Sequence, residues 1–76
     1  MKDLFLKSQL ENMFTVKNAS ALNIRNNPSL NSYIIGIMEQ NQYAYVLDYS
    51  SDGQWMKISI NGVCGWSYSK YLSYIY

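Results

Sequence analysis

The sequence predicts an all-β domain: a small antiparallel barrel of five to six strands, preceded by a short helical segment. Three observations carry that expectation. The first is Asn61-Gly62, set between two short runs of mixed apolar and polar residues. A type I′ turn needs positive φ at both central residues, which Asn tolerates and Gly accepts freely, so Asn-Gly between strands signals a hairpin. The second is the recurrence of short alternating runs, each closed by turn residues. The third is size: 76 residues make one domain, near the lower limit for a lone core. Closing the sheet would also hide edges that otherwise invite aggregation.

The two-residue turn sets the register of the hairpin. Ile60 then faces Val63, Ser59 faces Cys64, Ile58 faces Gly65, Lys57 faces Trp66, Met56 faces Ser67 and Trp55 faces Tyr68. Cross-strand partners share a face. One face carries Met56, Ile58, Ile60 and Val63, an apolar set suited to a core. The other carries Trp55, Lys57, Ser59, Cys64, Trp66 and Tyr68, which makes it aromatic and partly wet.

Taken in order, residues 3–14 form the one helical candidate: Leu6, Leu10, Met13 and Phe14 recur at i, i+4, i+7 and i+8. Thr15 to Ala19 read as a short strand. Leu22-Asn23-Ile24-Arg25 alternates, with Leu22 and Ile24 inward. Asn26-Asn27-Pro28-Ser29 is turn chemistry, and Pro28 biases Asn27 away from the helical region. Tyr33 to Met38 is the next strand, and Asn41 in the following turn is suited to positive φ. Tyr43 to Tyr49 alternates again, placing Ala44 and Val46 inward and Tyr43, Tyr45 and Tyr49 on the opposite face. Ser50 to Gly53 is a turn, Ser69-Lys70-Tyr71 a single helical turn, and Leu72 to Tyr76 a closing strand. The expected division is an N-terminal segment over 1–15 and the barrel over 16–76.

Composition narrows the function. The basic residues are scattered and the net charge is +1, so no basic stripe exists to neutralise a nucleic-acid backbone. There is no His and a single Cys64, expected as a small half-buried thiol, so neither a Ser-His nor a Cys-His pair can be built. Zinc lacks its ligands, no Gly-rich phosphate loop occurs, and the five carboxylates show no paired spacing. No enzyme activity, metal or cofactor is expected. The longest apolar run near the start is three residues, short of the ~7–15 of a secretion-signal core, and no membrane span is expected.

Several motifs, in order, resemble bacterial Src-homology-3-like (SH3b) domains. Ala19-Ser20-Ala21-Leu22-Asn23-Ile24-Arg25, then Asn26-Asn27-Pro28-Ser29, is similar to the family's opening motif. Ile34-Ile35-Gly36, Trp55-Met56-Lys57-Ile58, Asn61-Gly62, Gly65-Trp66 and Tyr71-Leu72 follow its later pattern, over about residues 16–73. Asn41 stands where the family usually has Gly, and Asn is the least costly replacement at positive φ. The resemblance implies an SH3-like barrel that binds rather than catalyses, appended in many proteins to cell-wall hydrolases and recognising peptidoglycan, often its peptide part. It implies a cell-wall or extracellular location, whereas a chain complete as written would be cytoplasmic. It also implies that Arg25 and Asn23 tie down a loop rather than touch ligand.

Tyr43, Tyr45, Tyr49, Trp55, Trp66 and Tyr68, with Tyr33 at the rim, are the candidate ligand-binding residues. Flat rings in a groove stack on an extended peptide or glycan at low entropy cost. The competing structural reading has Trp55 and Trp66 capping the barrel ends, and the tyrosines present as good strand formers. Two functions follow: a peptidoglycan-binding module, or a small intracellular, phage-encoded adaptor or inhibitor that binds a protein. The N-terminal segment carries Leu4, Phe5, Leu6 and Leu10 besides Met13 and Phe14. Each large side chain left in water forgoes ~1.5–3 kcal/mol. The segment is therefore expected to pack on its own barrel as a monomer, or to join a homodimer through residues 3–14. Deleting residues 1–13 should lower the melting temperature, and light scattering of both forms separates the two arrangements. Rapid amide exchange over 3–14 with an unchanged melting temperature would leave an ordinary leader.

Overall fold

A computed structural model describes residues 13–75 of the chain. Seven strands run β1 (Met13–Val16), β2 (Ala21–Arg25), β3 (Ile34–Glu39), β4 (Tyr43–Tyr49), β5 (Trp55–Ile60), β6 (Val63–Tyr68) and β7 (Leu72–Tyr74). A 3₁₀ turn, Ser69–Tyr71, links the last two. All pairings are antiparallel, in one sheet of order β3-β2-β6-β5-β4-β1-β7. Phe14, Val16, Ile24, Met38, Ala44, Met56, Ile58, Ile60 and Leu72 form one buried cluster, with Val63 packed against it. Because every strand feeds that single cluster, the sheet curls around it as a barrel, as expected of an SH3-like fold.

The β5–β6 hairpin has the expected register at all six pairs, Ile60↔Val63 through Trp55↔Tyr68. Asn61 (φ 50°) and Gly62 (φ 81°) supply its type I′ turn, and Asn41 takes φ 73° before β4. Three expectations need correction. The described residues form seven strands rather than five to six, because β1 adds itself between β4 and β7. Most of the helix expected over 3–14 lies outside the described residues, but its last two, Met13 and Phe14, are strand. Phe14 is buried opposite Ala44 and Tyr74, and this pairing outweighs a weak helical periodicity. The strand expected to run to Ala19 stops after Val16, since Asn18 turns the chain at φ 57°.

Two bulges interrupt the alternation. In β3, Ile24 pairs with Gly36 and Arg25 with Ile34, which leaves Ile35 as the extra residue. In β4, Val46 pairs with Ile58 and Asp48 with Lys57, which leaves Leu47 extra. The β2–β3 hairpin joins the rest of the sheet through one residue pair, Arg25↔Trp66. Gly65 makes that junction possible. A Cβ there would lie 2.6 Å from Ile24 Cγ2, 2.7 Å from the Arg25 carbonyl oxygen and 2.9 Å from Ile35 Cδ1. The Ser67 hydroxyl, fully buried, reinforces it by donating to the Asn23 carbonyl at 2.8 Å. Gly65→Ala should therefore cost ~1–3 kcal/mol through overpacking. In a domain of this size that is a drop of about 4–8 °C in Tm per kcal/mol. An unchanged thermal unfolding curve would show that β2 and β6 do not approach so closely.

Candidate functional site

A cleft of about 370 Å³ opens beside β2, β5 and β6, lined by Leu22, Asn23, Arg25, Leu30, Trp55, Tyr68 and Tyr71. One wall is aromatic. Trp55 and Tyr68, opposite one another in the hairpin, pack edge to face with centroids 5.2 Å apart at 78°. The Tyr71 ring follows 6.2 Å from Tyr68. The 3₁₀ turn of Ser69–Tyr71 directly follows Tyr68 and brings the chain back so that Tyr71 lies beside it. Lys70 extends its ammonium to 5.9 Å from the Tyr71 centroid.

Short-range hydrogen bonds hold this wall. The loop before β5 is closed by Asp52, whose carboxylate accepts from the Ser50 hydroxyl (2.7 Å) and the Gln54 amide (2.9 Å). Those two bonds, the hydroxyl first, hold its carboxyl below the usual carboxylate range. The Trp55 amide donates to the Ser50 hydroxyl oxygen at 3.0 Å, which sets the tryptophan's backbone. Ser69 ties the 3₁₀ turn to the same loop: its amide donates to the Gln54 carbonyl (2.9 Å) and its hydroxyl to the Gly53 carbonyl (2.7 Å).

The facing wall comes from the loop between β2 and β3. Arg25 Nη1 donates to the carbonyls of Leu30 and Ser32, each at 3.0 Å. The Asn26 amide bonds the Tyr33 carbonyl (2.8 Å), and the Ser32 hydroxyl donates to the carbonyls of Ser29 (2.7 Å) and Asn27 (2.9 Å). Arg25 does tie down the loop, and it also lines the cleft. The loop hangs Leu30 over the site with 72% of its surface exposed.

The structure separates the six sequence candidates into four places. Trp55 and Tyr68 lie in the cleft, though Trp55 is buried at 7% exposure rather than sitting at a wet rim, because Tyr68 packs on it. Trp66 is half-buried on the same outer face, between Lys57 and Arg25 in the cross-strand row, and does not line the cleft. Tyr43 and Tyr45 are exposed on the outer face of β4, opposite Thr15 and Met13. Tyr49 leaves them: the Leu47 bulge puts it opposite Met56, and its hydroxyl hydrogen-bonds that of Tyr74 at 3.3 Å. Tyr74 stacks on Phe14 at 4.1 Å, so Tyr49 helps close one end of the barrel. Tyr33 is 83% exposed and outside the cleft. Cys64, expected to be half-buried, is exposed on the strand face it shares with Ser59. Leu22, Asn23, Arg25, Leu30 and Tyr71 were not among the candidates. The three-residue spacing of Tyr68 and Tyr71 across a 3₁₀ turn was a usable signal for Tyr71, whereas Leu30 had none.

A family model described as the bacterial SH3 domain matches residues 20–73. The chain belongs to the bacterial SH3 domain family. No curated protein matches it. As a bacterial SH3 domain it falls in a family whose members are typically non-catalytic binding modules. Strand β1 precedes the matched stretch. Among the described residues, no three His, Cys, Asp or Glu side chains gather to hold a metal.

Tyr49 offers a pH test of the barrel end. The hydrogen bond to Tyr74, followed by burial, pushes its phenol up from 10.0 to about 12. The folded state thus favours the neutral phenol. Its contribution is fully present below pH 10 and is lost as the pH rises through about 12. Tyr74→Phe should return the Tyr49 titration toward 10, read by phenolate absorbance. A Tyr49 titration that the substitution leaves in place would remove Tyr74 as the cause.

Proposed function

We propose that this bacterial SH3 domain is a non-catalytic module that binds cell-wall peptidoglycan through its peptide part, seated in the cleft of Trp55, Tyr68 and Tyr71. The observation that carries the reading is the aromatic wall itself, held by Ser50, Asp52 and Ser69 before any ligand arrives. Preorganised rings contribute contact without a large ordering cost. The cleft volume is that of a small-ligand site, too small for a folded partner to enter but sufficient for a few residues of extended chain. Leu22 and Leu30 offer apolar contact opposite the rings, and Asn23 and Arg25 supply polar groups along one side. Family membership supports the same choice, since bacterial SH3 modules commonly bind cell wall.

The domain should sediment with purified walls of a low-GC Gram-positive species. Tyr68→Ala and Tyr71→Ala should each weaken that binding by about 5- to 30-fold, the scale of losing one well-packed ring at ~1–2 kcal/mol. Tyr43→Ala and Tyr45→Ala, away from the cleft, should leave it unchanged. Absence of sedimentation with any such wall would overturn the reading in favour of a protein-binding adaptor. Loss of binding in the Tyr43 or Tyr45 variant alone would move the site to β4.

A further inference from the structure

The cleft has a chemical asymmetry that the aromatic wall does not explain. Arg25 is the one charged residue that lines it, and no Asp or Glu does so among the described residues. A guanidinium has five N–H donors in a fixed planar fork. Nη1 spends its two on the carbonyls of Leu30 and Ser32. Among the described residues, the Nε and Nη2 donors have no protein acceptor. Those donors form the side-on edge of the fork, which matches the two oxygens of a carboxylate. The two loop bonds also hold the guanidinium plane in place, so little further ordering is needed when an anion arrives.

We propose that Arg25 receives the C-terminal carboxylate of a short peptide whose preceding residues lie along Tyr68, Tyr71 and Trp55. This deepens the peptide-binding reading above and rests on it. A carboxylate is favoured over a polyanionic chain because a single cation lines a cleft that is otherwise mainly aromatic and aliphatic. A string of phosphates needs several cations in a row. Among the described residues, the neighbouring outer face gives no such row: Lys57 stands opposite Asp48, and Lys70 leans over Tyr71 outside the lining. Asn23, also in the lining, is placed to bond the peptide's main chain.

The test changes the ligand, because replacing Arg25 would also release the loop. Wall stem peptides with a free C-terminus and the same peptides as C-terminal amides are titrated into the intact chain. Binding is followed by NMR at the indole N–H of Trp55, the rings of Tyr68 and Tyr71, and the Arg25 Nε–H. The free acid should bind about tenfold or more tightly than the amide, the scale of a hydrogen bond to a charged group. It alone should shift the Arg25 Nε–H. A third peptide, amidated only at its side-chain carboxylate, should bind like the parent. If that peptide loses affinity while the terminal amide keeps it, the terminal assignment is overturned. Equal binding of acid and amide, with the ring signals moving, overturns the carboxylate and leaves the peptide cleft standing. Unmoved cleft signals at millimolar concentrations of every peptide overturn both.

Discussion

The close crossing of β2 over β6 at Gly65 is the constraint on which the rest of this molecule depends. Among the described residues, one residue pair, Arg25↔Trp66, joins the β2–β3 hairpin to the rest of the sheet, so the ladder contributes little there. Contact takes its place. Ile24, fully buried, occupies the space that a Cβ at Gly65 would need, and the Ser67 hydroxyl caps the Asn23 carbonyl. A buried hydroxyl with its partner missing costs about 1–3 kcal/mol, so this bond also penalises a slipped register. The crossing sets where Asn23 and Arg25 stand relative to Tyr68, and therefore whether a cleft exists.

The two walls of the cleft are stabilised in different ways. The aromatic wall is held by backbone and hydroxyl bonds, within the loop at Ser50, Asp52, Gln54 and Trp55 and across the hairpin from Ser69 to Gly53. The opposite wall is a loop closed by its own backbone and Ser32 hydroxyl bonds and tied to β2 by Arg25, whose Nη1 gathers two loop carbonyls. Loss of the Arg25 bonds would free Leu30 while leaving the rings in place. The cleft thus combines an aromatic wall with a loop wall tied to β2 through Arg25.

The bulges do work that strand propensity cannot. Without the extra residue Leu47, Tyr43, Tyr45 and Tyr49 would form one row on the outer face of β4. The bulge instead sends Tyr49 to the barrel end, where it meets Tyr74 above Phe14. The bulge at Ile35 brings the tip of that side chain against Gly65, though Ile35 stays exposed along with Ile34 and Ile37 on β3, an edge of the sheet among the described residues. Edge strands are where unpaired backbone invites further pairing, and the bulge and its twist interrupt that template.

The hairpin was legible from the chain alone. Asn61-Gly62 dictates a two-residue turn, and that turn dictates six cross-strand pairs and the inward set Met56, Ile58 and Ile60. The family motifs, the turns at Asn41 and Gly53 and the single turn at Ser69–Tyr71 were equally local in origin. The site was legible only in part. Trp55 and Tyr68 share the cleft because their pairing follows from the turn, but strict alternation misplaced Tyr49 and gave no hint of Leu30. Alternation is a property of neighbouring residues, whereas a bulge is settled by which register lets two strands bury their side chains together. The closing of β2 on β6, the strand pairing of Met13 and Phe14 and the position of Arg25 opposite the rings all bring together residues far apart in sequence. Only packing in three dimensions decides such contacts, because the energy that selects them does not exist until the sheet has curled around its core.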